Sequence, residues 1–205
     1  MATPTQAPEA AASRGDTRRI SICAAAVEQF MTHGYAATSM AKIAAAAGVS
    51  RPALYQYFTD KDDIFASAFA SVFEERVDAG IAALEAGGAD VLAAVDGLLQ
   101  RYEGDLWELT AASAHNEELI AAKSQAVAAA VAVEVDRLWA AVASWLATRR
   151  PGSSAATKDL RRGWLDVLRW SPVGMRGDRP SVAEYRARLA ALARTVAADI
   201  TAATA

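Results

Sequence analysis

Residues 38–61 read TSMAKIAAAAGVSRPALYQYFTDK. Met40, Ile43 and Ala44 sit at helical spacing, Gly48-Val49 interrupts, and Leu54, Tyr57 and Phe58 resume the period, which predicts two short helices joined by a tight turn. Gly48 can take a positive φ that a residue with a Cβ resists, so the first of these helices can stop and turn within a few residues. Ser50 is placed to cap the second by accepting a bond from a free N–H of its first turn, and Pro52 falls where no N–H is needed. The expected unit is a helix-turn-helix. Arg51, Tyr55 and Gln56 face outward from its second helix and Ala53 is small. Such a helix can enter a DNA major groove N-terminus first, with its dipole and free N–H groups toward phosphate. The competing interpretation is an alanine-rich hairpin inside a larger bundle; agreement between apolar period, turn glycine, serine cap and basic outward face favours the DNA reader.

Around this stretch, residues 18–65 carry Phe30, His33-Gly34-Tyr35, Thr38-Ser39-Met40, Ile43-Ala44, Ala47-Gly48-Val49-Ser50, Leu54-Tyr55, Tyr57-Phe58 and Lys61. In these residues and their spacing the chain resembles the N-terminal domain of the TetR (tetracycline-repressor) family of transcriptional regulators, over about a quarter of its length. The resemblance implies an all-α homodimer that represses a promoter and lets go of a palindromic operator when a small molecule enters its C-terminal domain. Carried onto this sequence, it implies a DNA-facing set of Thr38, Ser39, Lys42, Ser50, Arg51, Pro52, Ala53, Tyr55 and Lys61. Ala41 is a departure, since members often place a polar residue there.

The chain of 205 residues is long enough for one large domain or two small ones with a substantial core. Its hydrophobic fraction of 53% is inflated by alanine, and no run approaches the about 18 uninterrupted apolar residues of a membrane span. The small, polar, proline-bearing residues 1–15 fit a disordered arm better than a signal peptide, so a cytoplasmic protein is expected. The single Cys23 allows no internal disulfide and suits a small buried thiol better than a redox sensor. The net charge of −3 is unevenly spread: residues 1–61 hold six basic side chains against four acids, which leaves the remainder at −5. The positive end is the end with the helix-turn-helix, as phosphate binding requires.

Along the chain, Asp16 or Thr17 can cap a first helix with the stripe Ile20, Ala24, Val27, Phe30 and Met31, ending at His33-Gly34. Arg14, Arg18 and Arg19 either reach the DNA backbone or form a solvated face. Thr59 and Asp62 make a capping box for a long fourth helix with Phe65, Phe69, Phe73 and Val77, ended by Gly87-Gly88. A fifth runs from an Asp90 cap to Gly104, a short sixth from Asp105 to His115, and a long seventh, capped by Asn116, carries Val127 to Leu146 and stops at Arg149-Arg150. Ser153 or Ser154 starts an eighth helix that breaks at Ser171-Pro172, SPVGMRGDRP is a loop, and Ser181 with Glu184 opens a last helix. No stretch has the two-residue period of a sheet, so the fold class is all-α. It comprises an N-terminal three-helix DNA-binding domain, residues 16–61, and a helical ligand-binding and dimerisation domain, residues 62–205.

All five tryptophans follow residue 100. Aromatics in an alanine-rich bundle leave gaps that suit a small molecule, although core and dimer-interface roles compete. Tyr102, Trp107, His115 and Trp139 are the candidate pocket residues, because the resemblance implies a pocket lined by their helices. Glu103, Asp105 and Glu108 are expected as surface acids, and no nucleophile, base and orienting group assemble, so an enzyme is not expected and neither metal nor cofactor is implied. A helical DNA-binding protein without effector response is the other alternative. Val182, Tyr185, Leu189, Leu192, Val196 and Ile200 make a seam on the last helix, which with Leu160, Trp164, Val167 and Leu168 of the eighth is expected to form a four-helix homodimer interface.

Overall fold

The computed structural model describes residues 14–121 and 125–204; residues 1–13 of the expected arm lie outside them. Every element among the described residues is helical and none is a strand. In chain order they are α1 (Arg14–Ala37), α2 (Met40–Ala46), α3 (Arg51–Leu54), α4 (Lys61–Ala86), α5 (Val91–Leu99), a π-helical turn (Gln100–Gly104), α6 (Asp105–Ala111), α7 (Asn116–Ala121), α8 (Gln125–Arg149), α9 (Ala155–Gly174) and α10 (Val182–Thr204).

The helix ends are set by short-range chemistry. Ser39 caps α2 by accepting from the Lys42 N–H, and Ser50 caps α3 by accepting from the Ala53 N–H. Gly48 takes φ +62° between them. Ser181 and Glu184 exchange bonds at the start of α10. At α4 the capping residues differ from the expected pair: Asp60 accepts from the Asp63 N–H, and Asp63 reaches back to the Thr59 N–H. Asp62 points elsewhere, to the Tyr35 hydroxyl. α1 begins at Arg14, ahead of the expected Asp16 or Thr17 cap, and kinks at Gly34, whose φ of +79° is not helical.

Two apolar cores share α4. The first gathers Ile22, Cys23, Ala26 and Phe30 of α1 with Ile43, Leu54, Phe58 and the α4 residues Ile64, Phe65 and Ala68. The face of α1 is therefore Ile22-Ala26-Phe30, four residues apart; the small Cys23 and Ala26 let neighbouring helices approach, while Ile20 and Ala24 of the expected stripe are exposed. Leu119 of α7 and Val127 of α8 also enter this core. The second core holds Val77 and Leu84 of α4 with α5, α8, α9 and α10, including Trp139, Trp145, Trp164, Tyr185 and Leu189.

Three further expectations are corrected, and one falls partly outside the described residues. The expected seventh helix is helical over α7, which lies on α1, and over α8, which lies along α4; its residues 122–124 lie outside the described ones. The chain does not leave helix at Gly104: α5 and α6 are joined through the π-helical turn, which buries Tyr102, Glu103 and Gly104 together. The sixth helix ends at Ala111 instead of His115. α9 continues through Pro172 to Gly174. Proline forfeits one helical bond, but here its carbonyl accepts the Tyr185 hydroxyl at 3.2 Å and Met175 N–H still reaches Ser171.

The seam of α10 is likewise satisfied within the chain. Tyr185, Leu189 and Ile200 are fully buried in the second core and Val196 nearly so, as are Trp164 and Leu168 of α9. Val182 and Leu192 of the same seam are only partly buried. The large apolar side chains that α9 exposes are Val167, Trp170 and Val173.

Candidate DNA-reading surface and interior cavity

α2 and α3 present the residues singled out in the sequence in three ways. Ser39, Lys42, Ser50, Arg51, Pro52 and Tyr55 are exposed, and Ala53 is half-buried behind them. Arg51 makes a loose stack on the Tyr55 ring, 5.9 Å from its centroid. Thr38 is buried, and its hydroxyl donates to the Gly34 carbonyl at 2.7 Å, so it pins the kink of α1. Lys61, half-buried, donates to the Tyr35 carbonyl at 2.9 Å with its ammonium 4.0 Å from the centre of the Tyr35 ring. Lys42 donates to the Ala37 carbonyl at 2.8 Å.

Arg18 and Arg19 are braced against the domain. Arg18 donates to the carbonyl of Gly48 at 3.3 Å, on the turn itself. Arg19 donates to Ser67 and lies 4.8 Å from the centre of the Phe58 ring. Tyr57 and Phe58 face the first core, as their place on the opposite side from Tyr55 required. Cys23 is buried there, and burial pushes its thiol above the ordinary range, the opposite of a reactive thiolate.

Beneath this domain lies a cavity of about 380 Å³. Its ceiling is Met31 of α1 and its long wall is Phe65, Phe69, Val72 and Phe73 of α4. α6 adds Leu106, Trp107, Leu109 and Thr110, α7 adds Asn116 and Leu119, and Val127, Val173 and Arg176 complete it. Of the four pocket candidates, Trp107 is on this wall, its indole N–H donating to the Pro180 carbonyl. Tyr102 and Trp139 are buried together in the second core with rings perpendicular, and His115 lies outside the cavity beside Glu118.

Sequence reasoning missed most of the wall for a definable reason. The i, i+4 phenylalanines of α4 were visible, but core packing and cavity lining leave the same apolar period. Arg176 was hidden in an expected loop. Glu103, expected at the surface, is 4% exposed: the π-helical turn rotates it inward, where it accepts from Arg176 at 3.0 Å and from the Tyr185 hydroxyl at 3.2 Å. Burial raises its carboxyl above the ordinary range, with the Arg176 charge and the Tyr185 bond opposing. Burial, followed by the Glu103 charge, holds the Tyr102 and Tyr185 phenols above theirs.

The segment that walls the cavity also grips α1. Ser113 donates to the Met31 carbonyl at 2.7 Å, and Glu118 accepts from the Ala36 N–H at 2.6 Å, on either side of the Gly34 kink. Phe65 touches Phe69 in the cavity wall and both Phe30 and Tyr35 above it, with ring centroids 4.5–5.0 Å apart.

A capped helix-turn-helix on an all-helical body defines the class of molecule. Residues 22–68 match the family of bacterial regulatory proteins, tetR family. Over 63 residues the chain is 41% identical to the HTH-type transcriptional activator FasR of Mycolicibacterium smegmatis, a match spanning 31% of this chain and 27% of that protein. The fold is similar to a protein from Mesorhizobium loti MAFF303099 assigned to the TetR-family transcriptional regulators, with TM-score 0.66 and 23% identity over 91% of this chain and 98% of that one. It is also similar to the fatty acid degradation regulator FadR of Bacillus halodurans, with TM-score 0.55 and 21% identity over 96% of each chain. The likeness in sequence to the TetR family is carried by the N-terminal domain, and the chain spans about a quarter of the length of the curated relative it matches. No helix among the described residues is long and apolar enough to cross a membrane.

Proposed function

We propose that the protein is a transcriptional regulator that binds a palindromic DNA operator as a homodimer and is released by a small apolar effector in the cavity under α1. The observation that carries this is the α2–α3 unit, with both helices serine-capped and Ser39, Lys42, Ser50, Arg51, Pro52 and Tyr55 exposed. Thr38 and Lys61 then act from behind, as braces on the end of α1, with Lys61 also within reach of a phosphate.

Release follows from shared parts. An effector against Phe65, Phe69 and Trp107 presses on α4 and α6; Phe65 of α4 packs on Tyr35, and Ser113, just beyond α6, holds Met31 of α1. Only a molecule that binds the DNA-free arrangement better can act as inducer. Homodimer formation is assigned to the outer face of α9, where Val167 and Trp170 stand exposed beside α10. The two reading helices of the dimer would then lie about 34–36 Å apart for successive major grooves.

Footprinting on DNA flanking the gene, with and without extracted apolar metabolites, is the test. A protected palindrome lost on adding an extract fraction is the expected result; salt-sensitive coating of any duplex would instead mean a DNA-binding protein without effector response. The relative in Mycolicibacterium smegmatis is an activator, so activation is the second reading. A promoter fusion separates the two: deletion of the gene raises expression under a repressor and lowers it under an activator.

A further inference from the structure

Arg176 is the only charged side chain among the described residues that line the cavity. Its guanidinium lies 3.0 Å from the Glu103 carboxylate, whose other partner is the neutral Tyr185 hydroxyl. Two other guanidiniums around it have acids of their own: Arg186 holds Asp105 and Glu108, and Arg76 holds Asp105 and Glu75. The positive charge at the wall is thus matched before any guest arrives. A guest carboxylate on Arg176 would face Glu103 across one guanidinium, two anions sharing one cation in a place where burying charge is expensive.

An uncharged guest meets no such opposition. It finds Phe65, Phe69, Phe73 and Trp107 on the walls, and two polar groups with capacity left. The Thr110 hydroxyl gives its proton to the Leu106 and Trp107 carbonyls, which leaves its oxygen to accept. The side-chain amide of Asn116 has no partner among the described residues and can donate and accept. One hydroxyl or amide on a guest fits this pair.

We propose that the cavity selects uncharged, predominantly apolar molecules bearing one hydroxyl or amide group, and that Glu103 sets this choice by occupying Arg176. The proposal rests on the cavity being the effector site and adds the class of effector. Removing the carboxylate while keeping its shape frees the guanidinium and turns the same cavity toward anions.

Calorimetric titration of the full chain with 1-decanol and with decanoate, at pH 7.5 and below micelle-forming concentrations, tests it. The two probes have equal chain length, so apolar burial largely cancels between them. The wild-type protein is expected to bind the alcohol at least about tenfold more tightly. Glu103→Gln should shift the ratio at least about tenfold toward decanoate, whereas Glu103→Asp should keep the wild-type preference. Equal or tighter binding of decanoate by the wild-type protein overturns the proposal without any variant, and so does an unchanged ratio in a folded Glu103→Gln. If neither probe bound, the effector-site reading itself would fall, whereas a preference for decanoate would leave that reading standing.

Discussion

Lys61 engages its charge on its own chain, and that changes what its removal means. Because the ammonium bonds the Tyr35 carbonyl and sits over the Tyr35 ring, Lys61→Ala should lower the salt slope of operator binding by about one unit and also loosen the end of α1. Lys61→Gln keeps a donor without the charge; if both substitutions change the salt slope equally, the charge acts on phosphate. Among the described residues Arg51 has no ion pair and only a loose stack on Tyr55. Its loss to alanine should cost about 1–3 kcal/mol and relax one base position, read from a panel of operator variants. Equal weakening on random DNA would remove it from base reading. Glu103 bears on stability. Its folded carboxyl titrates above the ordinary carboxylate range because burial outweighs Arg176, so its contribution is complete below that range and lost as pH rises through the raised one. The melting temperature of Glu103→Gln minus that of the wild type should therefore grow from about pH 4 to pH 7. A difference that shrinks over this window would mean that the ion pair outweighs burial.

Among the elements, α3 depends most on a single side chain. It is four residues long, held by the Ser50 cap and by Leu54, which is fully buried. Ser50→Ala should cost about 0.5–2 kcal/mol, raise amide exchange at Ala53, and weaken operator binding with little change in melting of the second core. What the sequence disclosed about the elements was decided nearby: the serine caps, Gly48 and the Ser181-Glu184 box each act within four residues, so their spacing was sufficient. What it concealed was decided at a distance. Pro172 stays in α9 with its carbonyl bonded by a tyrosine thirteen residues on. The π-helical turn has no periodicity signal of its own, and it alone separates a surface Glu103 from a buried one. The DNA-reading candidates were thus legible as a local motif, whereas a cavity bounded by six helices could be read only in part.

Across the whole molecule, two substitutions separate assembly from folding. Trp170→Glu, at an exposed position on α9, should give a folded monomer with greatly weakened operator binding. Leu189→Glu, at a fully buried position, should unfold the chain because it places an unpaired charge in the second core. Sedimentation together with circular dichroism distinguishes them, and a Trp170→Glu protein that remained dimeric would move the interface elsewhere. Leu119 and Val127 carry a different consequence. These two side chains come from beyond α4 yet complete the core beneath the reading helices, each contributing about 1.5–3 kcal/mol of apolar burial at most. The reader is therefore not a detachable cartridge. A chimera that grafts residues 14–61 onto another regulator's body inherits the caps and the groove-facing side chains but leaves an open floor, and it should regain a native melting profile only when the recipient supplies two apolar side chains of matching size from its own following helices.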